Sequence, residues 1–306
     1  MIRYNDWMSY SYDGVERGVK NYNSLFSLKF KCQSAPLEIS YKESLYRNAT
    51  IIRDQYSDPF DFCLSGGIDS EVVLRVFKDL GIKHNTFIFK LEENINATDV
   101  NNAKKLCENL NISYKIIDFN LKNFFEKDAE SYVDIIKTPR AGRLPRLKWF
   151  ELLDNIPIFC EGEPYWTRDS NHASDRSSWS FHFDEDAYTN TRYTDIIGRT
   201  AICDWYEFTP EVLWSFKKLP LIQRILRDEF PHKLSTWSSR HVIHKDIWPD
   251  MSYVPKLTGF EGQGEPGSMP EFMTKFQESV LSKYSSRNIL LTEKEFEKCL
   301  TSPQEF

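Results

Sequence analysis

The segment FCLSGGIDSEVVLRVF, residues 62–77, constrains the fold of this chain more than any other stretch. It continues an apolar run that starts at Phe60, it contains a glycine pair, and apolar residues then recur at helical spacing from Val72 to Leu80. This pattern predicts a strand, a tight loop and a helix in direct succession.

The predicted loop is SGGIDS, from Ser65 to Ser70. Gly66 and Gly67 let a ligand approach the backbone closely, and the two serines add hydroxyl donors. The N–H groups at the start of a helix favour an anion. The predicted ligand is therefore a phosphate chain, and a plain strand-to-helix turn is the alternative.

The composition is that of an ordinary globular protein, since 41% of the 306 residues are hydrophobic and can form a sizeable core. The net charge of -6 argues against a general nucleic-acid binder, which needs a basic surface to release counterions from phosphates. A local basic patch stays open. No apolar stretch approaches the about 20 residues that a membrane helix needs.

The cysteines are scattered along the chain, without a CxxC pair and without an evident signal peptide before them. This arrangement favours reduced thiols in the cytoplasm over a disulfide framework or a metal site. The six cysteines are Cys32, Cys63, Cys107, Cys160, Cys203 and Cys299.

Strand and helix patterns alternate in the first half of the chain. An α/β fold follows, with a parallel sheet, helices on both faces and ligands at the carboxyl ends of the strands. Besides the strand before the loop, the predicted strands are residues 85–91, 113–119 and 156–160, and the predicted helices are 40–56, 99–110 and 121–136.

The chain is predicted to have three parts. Residues 1–40 form an appended N-terminal segment with a short hairpin, 41–165 form the α/β core, and 166–306 form a mainly helical C-terminal part. Within the last part, residues 167–204 show little periodicity and are expected to form a long irregular loop. Helices are predicted at 210–219, at 221–230 and around 289–300.

The string SGGIDS resembles the pyrophosphate-binding loop of the N-type ATP pyrophosphatases, the PP-loop superfamily. Asparagine synthetase, GMP synthetase, NAD synthetase and several tRNA-modifying enzymes belong to it, and they cleave ATP between the α and β phosphates. Weaker strings resemble the synthetase half of asparagine synthetase and β-lactam synthetase, in the right order over residues 41–265. They include IFCEGEP, EFTPEVLWSFKKLP and PKLTGF.

The resemblance implies ATP and Mg²⁺ as cofactors, with Asp69 and Glu163 as metal ligands. It implies that Asp69 and Lys256 are catalytic, with Lys256 facing the leaving pyrophosphate. Arg240 and Lys245 are the alternative residues for the positive charge at that place. The chain departs from the family at EGEP, where an aspartate-glutamate pair is expected. The implied nucleotide-binding residues are Leu64, Ser65, Gly66, Gly67, Asp69, Ser70, Phe89, Glu161 and Gly162.

Adenine is expected between the first two core strands, against Leu64 and Phe89, where backbone groups of residues 89–91 would read its edge. The alternative for both side chains is a simple role in the core.

The resemblance further implies an amide-forming ligase. A carboxylate substrate is adenylated with release of pyrophosphate, and an amine or ammonia then displaces AMP. The alternatives are activation of a nucleobase or tRNA carbonyl, and a non-catalytic nucleotide-binding protein. Because Met1 is followed by Ile2 rather than by a catalytic cysteine, the nitrogen donor is expected not to be glutamine, unless a separate glutaminase supplies ammonia.

Three further patterns were open to two interpretations. Arg140, Arg143 and Arg146 form either a solvated face or an anion-contacting loop. His241 and His244 lie three residues apart, as metal ligands on a helix can, but a structural role is favoured. The acidic run 184–186 is interpreted as a solvated face.

Overall fold

The computed structural model describes residues 5–56, 59–168, 179–230, 232–233, 235–251 and 269–306. Its strands are β1 (Met8–Tyr12), β2 (Val15–Glu16), β3 (Phe26–Phe30), β4 (Phe60–Cys63), β5 (His84–Leu91), β6 (Tyr114–Phe119), β7 (Ile156–Ile158), β8 (Trp166–Thr167), β9 (Ser180–Asp184), β10 (Asn288–Thr292) and β11 (Gln304–Glu305). Its α-helices are α1 (Tyr41–Gln55), α2 (Ile68–Asp79), α3 (Ala97–Leu110), α4 (Leu121–Lys127), α5 (Ala129–Ile136), α6 (Leu144–Glu151), α7 (Thr189–Ile197), α8 (Pro210–Lys217), α9 (Pro220–Leu226), α10 (Arg240–Ile247), α11 (Glu271–Phe276) and α12 (Glu293–Thr301). None of these helices is long and apolar enough to cross a bilayer.

The predicted parallel sheet is confirmed, with strand order β6-β5-β4-β7 and parallel pairing throughout. The chain runs outward from β4 through β5 to β6, and then returns to the other side of β4 with β7. The order therefore reverses between β4 and β7. In open α/β sheets, ligands bind at this reversal, beyond the carboxyl ends of the strands.

Side chains alternate between the two faces of the sheet, and each face has its own apolar core. Phe60 and Phe62 pack with residues of α1, α2 and α3, whereas Cys63 packs on the other face with residues of α4, α5 and α6. Helices on both faces are therefore confirmed.

Helix α2 is anchored firmly behind the loop. Val72, Val73, Val76 and Phe77 are all 0% exposed, as their helical spacing requires. The ring of Phe77 packs edge to face on the rings of Phe60 and Phe62, with centroid distances of 5.8 and 5.7 Å. The strand before the loop and the helix after it are thus fixed to each other.

Two antiparallel sheets flank the core. The N-terminal hairpin is confirmed, because β1 and β2 pair around a two-residue turn, Asp13-Gly14, in which both residues have positive φ angles. The first sheet has the order β11-β3-β1-β2, so a strand near residue 305 completes the N-terminal segment. The second sheet has the order β10-β9-β8.

Several local predictions were wrong. The range 167–204 is not one irregular loop, because it contains β9 and α7. The range 289–300 begins as β10, which pairs with β9, before α12 starts. The range 121–136 is helical as predicted, but it consists of two helices, α4 and α5. The acidic run is not a solvated face, since Glu185 and Asp186 are 2% and 0% exposed.

Asp61 in β4 generates a prediction about stability. Its side chain is 0% exposed and accepts hydrogen bonds from the side chain of Asn85, at 2.9 Å, and from the backbone N–H groups of Asp154 and Asn155, at 3.0 and 2.9 Å. We expect Asp61→Ala to lower the free energy of unfolding by about 3 kcal/mol, because several buried donors lose their acceptor.

Urea denaturation measures this change, and Asp118→Ala is the matched control, since its side chain is 80% exposed and forms only a surface pair with Lys90. The control should stay within about 0.5 kcal/mol of the wild type. Equal losses in both variants would contradict the role assigned to Asp61.

Candidate functional site

The SGGIDS loop connects β4 to α2 and requires glycine at position 66. Gly66 has a φ of +75°, and a Cβ atom there would lie 2.1 Å from the backbone oxygen of Asp99. Gly67 is the N-cap of α2 and has no side chain to satisfy the first-turn N–H groups. The loop therefore presents backbone donors at a helix start, as an anion site requires.

The two serines of the loop face each other. Their Oγ atoms lie 3.0 Å apart, and the Ser70 hydroxyl also lies 2.9 Å from the backbone oxygen of Gly67, to which it donates. The backbone N–H of Gly67 contacts the Ser65 Oγ atom at 3.4 Å. The two hydroxyls thus contact each other and the backbone of Gly67 within the loop.

Asp69 lies in the first turn of α2 and forms an ion pair with a buried arginine. Arg240 Nη1 donates to Asp69 Oδ1 at 2.6 Å, and the arginine is only 5% exposed. The guanidinium carbon stands 3.4 Å from the ring centre of Trp237, and the Tyr206 hydroxyl donates to the backbone oxygen of Asp69 at 2.9 Å. Of the two alternative cations, Arg240 therefore contacts a residue of the loop, whereas Lys245 is exposed on the same helix.

A second carboxylate, Glu163, lies in the electrostatic field of Asp69. Burial is the main cause that raises the pKa of Glu163 to about 8, the negative charge of Asp69 adds to it, and Arg240 opposes both. The charged form of Glu163 is therefore disfavoured in this buried environment unless a further positive charge is close to it.

This pair of carboxylates fits magnesium. Mg²⁺ prefers oxygen ligands and is usually held by one or two carboxylates together with the phosphates of the substrate. Among the described residues, no group of three or more His, Cys, Asp or Glu side chains could hold a metal ion. Asp69 and Glu163 therefore fit a metal that arrives with a phosphate chain better than one held by the protein alone.

Glu161 is surrounded by donors. It is 8% exposed, Oε1 accepts from Arg143 Nη1 at 2.6 Å and from Arg146 Nη1, and Oε2 accepts from the side chain of Asn190 at 2.9 Å. Arg143 and Arg146 consequently do not form a solvated face. The nucleotide contact predicted for Glu161 stays a prediction.

Gly162 has a φ of +78°, and a Cβ atom there would lie 2.8 Å from Cγ of Glu207. A left-handed backbone beside a buried side chain explains the glycine without a ligand. Its predicted contact with the nucleotide therefore has no independent support from the local packing.

Leu64 and Phe89 lie on opposite faces of the sheet. Leu64 belongs to the core of α1–α3, and Phe89 belongs to the core of α4–α6. Phe89 is already stacked on Trp149, with ring centres 4.1 Å apart and planes 7° from parallel. The two side chains do not form one wall of a pocket, and adenine contact stays a prediction for each.

The backbone groups expected to read the edge of adenine have a partner in the protein. The carboxamide of Asn96 accepts from the N–H of Leu91 at 2.8 Å and donates to the carbonyl of Phe89 at 2.9 Å. A base that used these two groups would have to displace Asn96.

Lys256 and the PKLTGF string lie outside the described residues, so the role of Lys256 stays a prediction. Of the two histidines, His244 is 1% exposed and stacks on Tyr41 at 6.0 Å. Burial first, and Arg240 second, lower the pKa of His244 to about 3. The imidazole is therefore neutral and packed in the core, as the structural interpretation predicted.

Sequence reasoning missed Tyr206, Asn190 and Trp237. Each of them reaches the site from an element that follows the core in the chain, through contacts that span large sequence separations. No local pattern marks them. Only Arg240 had a signal, which was its positive charge.

A family model described as "Queuosine biosynthesis protein QueC" matches residues 62–138. The 7-cyano-7-deazaguanine synthase of Methanocaldococcus jannaschii is 32% identical over 93 residues, which are 30% of this chain and 40% of that protein. The NH(3)-dependent NAD(+) synthetase of Campylobacter jejuni subsp. doylei is 40% identical over 70 residues, 22% of this chain and 28% of that protein. The matched stretch thus spans less than half of either relative.

Two solved structures are also similar. The NH3-dependent NAD synthetase of Campylobacter jejuni subsp. jejuni is 16% identical, covers 76% of this chain and 96% of its own, and has a TM-score of 0.34. The NMN synthetase of Francisella tularensis is 23% identical, covers 40% of this chain and 53% of its own, and has a TM-score of 0.30. Similarity at this level supports no statement about function.

The family model and the curated relatives support the superfamily of N-type ATP pyrophosphatases, which the SGGIDS loop had predicted. The matched region 62–138 contains the SGGIDS loop and the two strands that follow it. The relatives named here are enzymes, but none of them is an asparagine synthetase. The closer resemblance to asparagine synthetase therefore stays a prediction.

The geometry of Gly66 generates a second prediction. We expect Gly66→Ala to lower the free energy of unfolding by about 2 kcal/mol or more, because the new Cβ atom meets the backbone of Asp99 and the φ angle is unfavourable. Displacement of the loop should also abolish binding of a non-hydrolysable ATP analogue, measured by calorimetry.

Gly142→Ala is the matched control, since a Cβ atom there meets no other atom within 4 Å. It should fold and bind the analogue as the wild type does. Wild-type affinity in folded Gly66→Ala would show that the nucleotide does not use this loop.

Proposed function

We propose that the chain is an ATP-dependent, amide-forming ligase that adenylates a carboxylate substrate. The observation that carries the proposal is the phosphate loop at the reversal of the sheet, next to the two carboxylates Asp69 and Glu163 and the buried cation Arg240. ATP-dependent adenylation is also the general chemistry of the superfamily that the relatives support.

The reaction has two steps. An oxygen of the substrate carboxylate bonds to the α phosphorus of ATP, and the bond from that phosphorus to the bridging oxygen breaks, which releases pyrophosphate. Ammonia or an amine then attacks the acyl carbon and loses a proton, and AMP leaves with the electron pair of the C–O bond. The proposed nitrogen donor is an amine, or ammonia from solution or from a separate glutaminase.

The residues of this chain mainly position charged groups. Ser65, Gly66, Gly67 and Ser70 hold the β and γ phosphates by hydroxyl and backbone donors. Mg²⁺ held by Asp69 and Glu163 would neutralise charge on those phosphates. The predicted adenine contacts of Leu64 and Phe89, and the contacts of Glu161 and Gly162, complete the proposed nucleotide site.

Two cations are proposed for the leaving pyrophosphate. Lys256 is proposed from the family pattern, and Arg240 from its contact with Asp69. Positive groups already in place where negative charge develops stabilise a transition state without reorganisation.

A second candidate function is the activation of a nucleobase-like carbonyl or carboxyl group. The similarity to a 7-cyano-7-deazaguanine synthase, together with the QueC model over residues 62–138, favours it. Because the chain has a net charge of -6, a small heterocycle is a better acceptor than a nucleic acid. All described cysteines are free thiols, and this agrees with a cytoplasmic location for either candidate function.

The first functional prediction concerns Asp69. We expect Asp69→Asn to lower pyrophosphate release by on the order of a hundredfold or more, because the magnesium site loses a charged oxygen ligand. Release is measured with ammonia and a panel of carboxylates, and separately with deazapurine carboxylates, so that the acceptor class distinguishes the two candidate functions. The magnesium dependence of ATP-analogue binding is measured in parallel.

The control for this experiment is Asp79→Asn, at the far end of the same helix. It should behave as the wild type does in both assays. Unchanged magnesium dependence in Asp69→Asn would rule out the metal-binding role.

The second functional prediction concerns the two cations. We expect Arg240→Ala and Lys256→Ala each to lower turnover by roughly a hundredfold, with a much smaller effect of Lys256→Ala on ATP binding. Lys245→Ala removes an exposed lysine from the same helix as Arg240 and serves as the control. Normal turnover in either variant would exclude that residue as the cation that faces pyrophosphate.

A further inference from the structure

Arg143 and Arg146 share a single carboxylate oxygen. Arg143 Nη1 donates to Glu161 Oε1 at 2.6 Å, and Arg146 Nη1 donates to the same oxygen. Within the described part of the chain, neither guanidinium has another acceptor among its hydrogen bonds and ion pairs. Since each guanidinium carries five N–H donors in a fixed fork, most of the donors of this pair are left for something else.

Glu161 is the carboxylate that both arginines contact directly, whereas Asp184, Asp186 and Glu163 act on Arg143 at longer range. Two guanidinium groups face one carboxylate, and Asn190, which holds the other oxygen of Glu161 at 2.9 Å, is neutral. Burial lowers the pKa of Arg146, the attraction of Glu161 only partly offsets this effect, and the charge of Arg143 adds to it. A partly buried cation under these conditions is stabilised by a further anion.

The pair also lies where a substrate can reach it. The side chains of Arg143 and Arg146 are 20% and 32% exposed, so neither is sealed in the core. Arg143 is the N-cap of α6, Arg146 lies in its first turn, and that turn contains no acidic residue. The positive end of the helix dipole therefore adds to the two charges.

This cluster is adjacent to the proposed nucleotide site. Glu161 follows β7 closely and precedes Glu163 by two residues, and the charge of Glu163 acts on Arg146. The strands β4 and β7 are neighbours in the sheet, and the phosphate loop follows β4. An anion on the arginines would thus stand next to the site of adenylation.

We propose that Arg143 and Arg146 form a subsite for an anionic group, a carboxylate or a phosphate, on the acceptor substrate. The proposal rests on the proposed function and narrows it, because the acceptor would carry a negative group besides the carboxylate that is activated. Guanidinium groups bind planar carboxylates and phosphates by paired N–H donors. Glu161 is a positioning residue, since Asn190 and the arginines fix it and it aligns both guanidinium groups.

The test is a titration of the full chain, saturated with magnesium and a non-hydrolysable ATP analogue, with succinate in one arm and inorganic phosphate in the other. The Nε–H signals of arginine in NMR spectra report binding directly. We expect a saturable shift, an affinity that falls roughly tenfold or more in Arg146→Gln, and partial retention in Arg146→Lys. The two arms show whether a carboxylate or a phosphate is preferred.

Arg146→Gln is chosen because Arg143 and Asn190 still hold Glu161, so the variant is expected to fold; a thermal melt checks this. Lys148→Gln is the matched control, since it removes a lysine of the same helix that pairs with Glu151 instead. Its anion affinity should equal that of the wild type.

The absence of a saturable shift, or equal affinity in folded Arg146→Gln and the wild type, would overturn the proposal. A shift of the same signals by the ATP analogue alone would assign the arginines to the nucleotide and would overturn it as well. If the chain fails to bind the ATP analogue but binds the anions, and Arg146→Gln lowers that anion affinity, then the anion subsite is supported and the ligase function is contradicted.

Discussion

The close approach of Gly66 to the backbone of Asp99 fixes the SGGIDS loop, and the rest of the candidate site is arranged around this loop. A Cβ atom on residue 66 would lie only 2.1 Å from the backbone oxygen of Asp99, so the loop lies directly against the start of α3. The packing of Phe77 on β4 holds α2 on the other side of the loop. The loop is therefore confined from both sides before any ligand arrives. Backbone donors that are preorganised in this way lose little entropy when they bind a ligand.

Two glutamates that are two residues apart illustrate how environment decides chemical role. Glu161 is surrounded by three donors, whereas Glu163 faces another carboxylate, which together with burial raises its pKa to about 8. The carboxylate of Glu161 is already paired with two guanidinium groups, whereas the charged form of Glu163 is disfavoured by its surroundings. Gly162, with its left-handed backbone, lies between the two.

The core strands and the SGGIDS loop between β4 and α2 could be predicted from the sequence because both are encoded locally. Apolar runs identify β4 and β5, and a six-residue string identifies the loop. The acidic run around Glu185 could not be interpreted in this way, since its partners Lys20 and Arg192 are supplied by other elements. The role of Arg143 and Arg146 was equally hidden, because a cluster of positive charges looks the same whether it faces water or a buried carboxylate.

Strand β9 was missed although its burial alternates, with Phe181 and Phe183 on the buried side. It is short, and its stability comes from pairing with β10, more than a hundred residues away in the chain. Tertiary contacts of this kind override local propensity. The same limit applies to Tyr206 and Trp237, which join the site only after the chain has folded.

Strand β6 forms one margin of the parallel sheet, and its composition affects the behaviour of the protein in concentrated solution. Lys115 and Asp118 are exposed along it, and Asp118 pairs with Lys90 of the neighbouring strand at 3.4 Å. The opposite margin is partly covered, since Ile202 bridges to Ile158 of β7. A foreign strand that approached β6 would have to desolvate these charges, which opposes edge-to-edge aggregation at this margin.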